Sequence, residues 1–216
     1  MDVSLSRIEE VSAASRAAES VEDAPSSVSV ISSQELRAMG YPTIAEALRG
    51  TRGVYLNDDR SYQSVGFRGF GRPGDYGNRV LVLLDGHPTN DNWVNSSYIG
   101  YDARSDIDDI ERIEVVRGPG SVLYGTGAFS GVINLVTRGR DAPTGVNAGL
   151  STNEYGVARA RVGARWRASE NAGLWTSVSG AYGAGRDFFF PELMTPAMGT
   201  NPSVDGNSRD ADGFLA

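Results

Sequence analysis

Arg117-Gly-Pro-Gly-Ser-Val-Leu-Tyr-Gly-Thr-Gly-Ala-Phe-Ser-Gly-Val-Ile-Asn-Leu-Val-Thr137 decides how the rest of the chain is read. A Gly-Pro-Gly turn leaves one β-branched run, residues 111–116, and the segment ends in another, residues 131–137. Both runs read as strands. The small residues between them let backbone pack against backbone.

Working upstream, Ser105-Asp-Ile-Asp-Asp-Ile110 suits a short helix. Asp106, Asp108 and Asp109 sit in its first turn, where the helix dipole favours anions. Arg79-Val-Leu-Val-Leu-Leu84 is apolar on both faces, as a central strand is, and Asp85-Gly86 is a hairpin turn signal. Residues 87–104 form a long polar loop with Trp93, Tyr98 and Tyr101, and residues 69–78 form a Gly/Pro/Asp-rich one. Residues 54–56 and 64–68 read as short strands. Residues 27–31 alternate as a strand does. Two capped helices follow it. Ser32-Ser-Gln-Glu35 opens the first, with Leu36 and Met39 on its stripe and Gly40 at its end. Thr43-Ile-Ala-Glu46 opens the second, with Ile44, Ala47 and Leu48 inward and Gly50 at its end.

Downstream of Arg140 the pattern changes. Val146, Ala148 and Leu150 alternate with Asn147, Gly149 and Ser151. Ala158, Ala160, Val162, Ala164 and Trp166 share one face of the next run, with Arg159, Arg161 and Arg165 on the other. Leu174, Val178 and Tyr182 alternate with Ser177 and Ser179. Runs of this length, apolar on one face, are the pattern of outer-membrane barrel strands. A soluble amphipathic sheet alternates in the same way, so alternation alone does not choose between them. From Arg186 onward the chain reads as a long loop.

Composition narrows the function classes. The 216 residues carry a net charge of −7, which opposes a nucleic-acid partner. The 27 glycines call for many turns, and the absence of cysteine removes disulfides and thiolate metal sites. No apolar run is long enough for a transmembrane helix. Residues 1–8 lack the basic and apolar regions of a signal peptide. A leader already removed, a start placed too late and a cytoplasmic location all stay open.

Enzyme motifs fail on inspection. Gly125-Thr-Gly-Ala-Phe-Ser-Gly131 is one residue too long for a dinucleotide fingerprint, and no P-loop is present. His87, the lone histidine, reads as structural or solvated beside its turn. The aspartates at 106, 108 and 109 lack the Gly and distal Glu of a calcium loop, and helix capping accounts for them. No nucleophile–base pair is visible. The expectation is a non-enzyme without cofactor or resident metal.

An ordered series of segments resembles the TonB-dependent outer-membrane receptors, over roughly residues 3–184. Ala24-Pro-Ser-Ser-Val-Ser-Val-Ile31 resembles the first strand of that family's plug domain. Thr43-Ile-Ala-Glu-Ala-Leu-Arg-Gly-Thr-Arg-Gly-Val54 is similar to its helix and turn, and Val65-Gly-Phe-Arg-Gly-Phe70 to its arginine-bearing strand. Arg79-Val-Leu-Val-Leu-Leu-Asp-Gly-His87 resembles its central hairpin. Asp109-Ile-Glu-Arg-Ile-Glu-Val-Val-Arg-Gly-Pro119 leads into its terminal signature. The resemblance implies an α+β plug domain with a small mixed β-sheet and short helices. The start of an antiparallel transmembrane β-barrel follows, truncated from a barrel of the roughly twenty-two-stranded class. The division expected is a flexible N-terminal arm at 1–24, the plug at 25–140, and first barrel strands with a loop at 141–216.

Roles are implied in the same way. In the family a short extended segment of the arm pairs with a strand of the energy-transducing protein TonB. By position, Arg7, Ile8, Glu9, Glu10, Val11, Ser12, Ala13 and Ala14 form the candidate TonB box, although Glu9 and Glu10 break the usual β-branched run. Arg68 and Arg117 leave strand ends in Gly-flanked turns; family arginines at matching positions pair with glutamates of the inner barrel wall. A solvated surface arginine is the plainer reading of each. Candidate ligand-loop residues are Arg60, Tyr62, Arg72, Asp75, Tyr76, Asn92 and Trp93, whose aromatic and hydrogen-bonding groups suit a polar chelate. Ordinary loop packing explains any one of them equally well. Expected partners are TonB, the remainder of the barrel, an iron-chelate or cobalamin-type ligand and the outer membrane. A plug-only periplasmic module binding TonB or a ligand is the alternative, and it predicts a periplasmic location.

Overall fold

The strand read as central from its apolar content, residues 80–84, lies inside the main sheet of this computed structural model. The structure describes residues 10–13, 15, 19–20, 26–59, 62–72, 74–138, 144–153, 156–169, 172–183, 188–189 and 203–204. The chain divides into two compact units, Met1–Ala142 and Pro143–Ala216.

The first unit begins with a two-residue ribbon, β1 (Glu10–Val11) against β2 (Glu19–Ser20). Then come β3 (Ser27–Ser32), α1 (Ser33–Met39), α2 (Ile44–Arg49) and the hairpin β4 (Val54–Asp58) to β5 (Gln63–Phe67). After these lie β6 (Val80–Leu84), β7 (His87–Pro88), a 3-10 turn (Ile107–Asp109), β8 (Ile110–Arg117), α3 (Ser121–Tyr124) and β9 (Gly131–Thr137). The main sheet has the order β3-β8-β9-β6-β7. All of its neighbours are antiparallel except β6 and β9, which run parallel, so the sheet is mixed as expected.

Period-two geometry sends alternate side chains to opposite faces. Val80, Val82, Ile113, Val115, Ile133 and Leu135 face one core, packed with Leu36, Ile44 and Leu48 of the two helices. Leu81, Leu83, Val116 and Val132 face the other way into a smaller cluster with Ala13 and Ala128. One face is thus roofed by helices; the other is covered by a thin layer that includes the N-terminal arm.

Local chemistry explains the helix limits. The Ser32 and Thr43 hydroxyls each accept a hydrogen bond from the amide three residues on, at Glu35 and Glu46. Gly40 ends α1 in the left-handed conformation, with φ 61°. The first stripe is narrower than expected: Leu36 is buried but Met39 is 63% exposed, because it closes a seven-residue helix beyond reach of the core. The aspartate-rich segment makes a 3-10 turn, capped by Asp106 on the Asp108 amide. The short α3, inside the Gly-rich stretch, has no side-chain cap and carried no sequence signal.

The second unit holds an antiparallel three-stranded sheet of β10 (Gly145–Thr152), β11 (Ala158–Arg167) and β12 (Gly173–Tyr182). Register aligns the apolar positions into rows: Val146, Ala164 and Thr176; Ala148, Val162 and Val178; Trp166 and Leu174. Val146, Leu150, Val162, Trp166, Leu174, Val178 and Tyr182 are all exposed. The region read as a loop after Arg186 contains a further ribbon, β13 (Phe188–Phe189) with β14 (Ser203–Val204).

Gly131 is closely packed within the main sheet. A methyl group there would lie 2.6 Å from the Phe67 ring and 2.7 Å from the Val116 carbonyl oxygen. The carbonyl belongs to the sheet and cannot swing aside. Gly131→Ala is expected to destabilise the first unit by about 1–3 kcal/mol, read as a lower denaturant midpoint. An unchanged midpoint would mean that β8 and β9 are less closely apposed than described.

Candidate functional site

Loops and cations gather where β8 ends and β6 and β9 begin. Gly131 pairs with Arg117 on one side and Val80 on the other, which brings the segments around 78 and 118 together. The loop at 90–97 is tied to this end by Asn90. Its amide oxygen accepts from the Val82 amide at 2.8 Å, and its nitrogen donates to Val80 and Asn95 carbonyls. Asn95 donates to the Asn78 carbonyl at 2.8 Å, and the Ser97 amide to the Tyr76 carbonyl at 3.2 Å.

Asp91 organises the loop's interior. Its carboxylate accepts from the amides of Trp93, Val94 and Ser96 at 2.6–2.8 Å. The amide of Val94, followed by those of Trp93 and Ser96, holds the Asp91 pKa below its ordinary value. The product is a braced loop with Trp93 at its tip, 91% exposed. Tyr62 and Tyr76, from two other loops, meet edge to face with ring centroids 5.5 Å apart. Tyr98 carries the Arg104 guanidinium over its ring at 5.8 Å.

The sequence candidates divide accordingly. Tyr76 and Trp93 are exposed aromatic surfaces on loops tied to this end, and Tyr62, exposed at the β4–β5 turn, meets Tyr76 through its ring. Asn92 and Arg72 are exposed beside them. Asp75 is engaged locally with Arg79 at 3.3 Å. Arg60 lies outside the described residues, as do Arg7, Ile8, Glu9 and Ala14.

The two arginines behave differently. Arg117 turns inward: it donates to the carbonyls of Arg52 at 2.7 Å, Val28 at 3.3 Å and Ser27 at 3.5 Å, and to the Ser29 hydroxyl at 2.8 Å. It therefore stitches the start of β3 to the turn before β4. Burial, then the nearby charges of Arg68 and Arg52, lowers its pKa. Arg68 sits at φ 50° in the turn after β5 and is exposed. Arg52 is a third member of this cationic group that sequence reading did not single out.

The N-terminal arm is held, not free, over its described part. Val11 and Ala13 are buried, at 0% and 2% exposure. The amides of Ser12 and Ala13 donate to Glu114 Oε2 at 3.1 and 3.0 Å, and the Ser12 hydroxyl at 3.4 Å. Asn134, directly opposite on β9, donates to the same oxygen at 3.1 Å. Arg112 binds Oε1 through Nε and Nη2, both at 2.9 Å. Sequence reading missed Glu114 and Asn134. The available signal was a carboxylate and an amide amid residues that strand patterning buries, where a charge requires partners.

Asp91 supplies a pH-dependent test. A depressed carboxyl pKa contributes stability that is present above the unfolded value, about 3.9, and is lost as pH falls through the folded value. Asp91→Asn should therefore speed hydrogen exchange at the Trp93, Val94 and Ser96 amides at neutral pH. The difference from the unaltered protein should shrink in acid. Equal exchange at neutral pH would show that the carboxylate does not hold the loop.

The family model described as "TonB-dependent Receptor Plug Domain" matches residues 20–132. The iron-regulated outer membrane virulence protein of Vibrio cholerae is 35% identical over 139 residues, 62% of this chain and 21% of that protein. The ferric enterobactin receptor of Pseudomonas aeruginosa is 32% identical over 167 residues, 70% of this chain and again 21% of the relative. The crystal structure of the ferripyoverdine receptor of the P. aeruginosa outer membrane superposes with a TM-score of 0.67 at 20% identity, covering 82% of this chain and 23% of that one. The chain thus spans about a fifth of the length of these curated relatives. Together with the mixed sheet, the capped helices and the antiparallel strands that follow, the match places this chain in the family of TonB-dependent outer-membrane receptors, as a plug domain with adjoining strands.

Proposed function

We propose that this chain is the plug and first wall strands of a transporter that takes up a scarce iron chelate, a ferric siderophore, across the outer membrane. The observation that carries the ligand side is the set of exposed aromatic rings: Trp93 and Tyr76 on loops braced at one end of the sheet, and Tyr62 packed edge to face on Tyr76. Flat rings held in place offer stacking surfaces at little entropic cost. Arg72 adds positive charge for an anionic chelate.

The wall strands support the membrane side. β11 and β12 have 10 residues each, the length that crosses a bilayer at barrel tilt, and their exposed apolar rows suit lipid contact. Open strand edges are not tolerated in lipid, so transport requires the rest of the barrel.

The mechanism follows from these parts. Substrate settles on the aromatic loops and the barrel interior. Arg68 pairs with a carboxylate of the wall and keeps the plug in register, while Arg117 holds the turn that carries Arg52. Occupancy frees the arm toward the periplasm. TonB adds a strand to it and pulls, drawing on the inner-membrane proton gradient. Part of the plug then rearranges and opens a passage.

Uptake of a radiolabelled ferric siderophore by cells expressing the receptor, with and without TonB, tests this reading. Uptake should require TonB, and Trp93→Ala should weaken ligand binding about tenfold, equivalent to about 1.4 kcal/mol. Binding of cobalamin in place of iron chelates would reassign the ligand. Ligand or TonB binding without any transport would favour the plug-only periplasmic module.

A further inference from the structure

We propose that Glu114 is a latch that holds the N-terminal arm, and that latching and strand pairing with a partner exclude each other. The latch stands on the geometry of the first unit. Its consequence for energised transport rests on the function proposed above.

Glu114 is fully buried on an interior strand, between β3 and β9. Its Oε2 collects the consecutive amides of Ser12 and Ala13, the Ser12 hydroxyl and the Asn134 side chain, while Arg112 engages Oε1. Arg112 is the cation facing it; Asn134 is the neutral donor from the neighbouring strand. Among the described residues, the Ala13 methyl in its apolar seat, the buried Val11 and a ribbon of two residues per strand also hold this part of the arm.

Two consequences follow from the kind of bond used. The arm is attached to the sheet through a side chain. It can therefore leave without breaking any ladder bond between β3, β8 and β9. Second, backbone N–H groups of an extended segment point alternately to its two sides. Any strand that pairs with residues 12–13 needs one of the two amides that Glu114 holds. The docked arm withholds the donor that strand addition requires, and a partner that captures the arm must first take it from the carboxylate.

Hydrogen exchange and partner affinity together test the latch. In Glu114→Gln the Ser12 and Ala13 amides should exchange at least about tenfold faster, while those of Val115 and Ile133 report an intact sheet. Affinity for purified TonB should rise by a similar factor, since the arm no longer spends its time docked. Ser12→Pro leaves Glu114, Arg112 and Asn134 untouched and removes two donors from the arm, the Ser12 amide and hydroxyl; it should speed exchange at Ala13 even if the buried variant fails to fold. Unchanged arm exchange in folded Glu114→Gln, or at Ala13 in Ser12→Pro, overturns the latch. Faster arm exchange with unchanged TonB affinity sustains the latch and overturns the arm as the TonB-pairing strand.

Discussion

A buried carboxylate is tolerable only when its charge and lone pairs are answered, and Glu114 answers this constraint by recruiting three parts of the fold to one point. Arg112 comes from its own strand, Asn134 from the neighbouring strand, and Ser12 with Ala13 from the arm. Removing a partner from such a group typically costs about 3–5 kcal/mol. The thinly covered face of the sheet is thereby specified as well as packed. Apolar residues such as Leu81, Val116 and Val132 would accept many segments; the carboxylate accepts one that presents adjacent backbone donors.

The opposite face is secured by ordinary means. Two capped helices and a hairpin lay Ile44, Leu48, Val65 and Phe67 on β6, β8 and β9. This asymmetry suits the proposed release of the arm, in which the rest of the domain stays folded. The strand that bears the latch ends three residues later in Arg117, whose donors bind β3 and the turn at Arg52. The cationic group formed by Arg52, Arg68 and Arg117 lies at the end of the sheet to which the loops bearing Tyr76 and Trp93 are tied.

Much of this was legible in the chain because it rests on local rules. The Ser32 and Thr43 caps, the Gly40 stop, the Asp85-Gly86 turn and the double-faced run at 80–84 each follow from their own few residues. The ordered motifs around Arg117 carried the family. What escaped depended on distant partners. Nothing near Glu114 in sequence announces that its donors lie about a hundred positions away at Ser12 and Ala13. The arm looked free because its composition is polar, and one buried alanine and one buried valine leave little trace in such a stretch. Arg117 looked like a group reaching outward, yet its guanidinium is spent on backbone carbonyls and Ser29. The aromatic loops were recognisable as loops, but the bracing by Asn90 and Asp91 that presents Trp93 appears only in three dimensions.

The most direct measurement is single-molecule force spectroscopy on the receptor, with the barrel anchored and the N-terminus pulled. The account predicts a first, low-force rupture that releases the arm and leaves the sheet intact, and the loss of that step in Glu114→Gln. A single rupture in which arm and sheet come away together, or an early step untouched by the substitution, would contradict it.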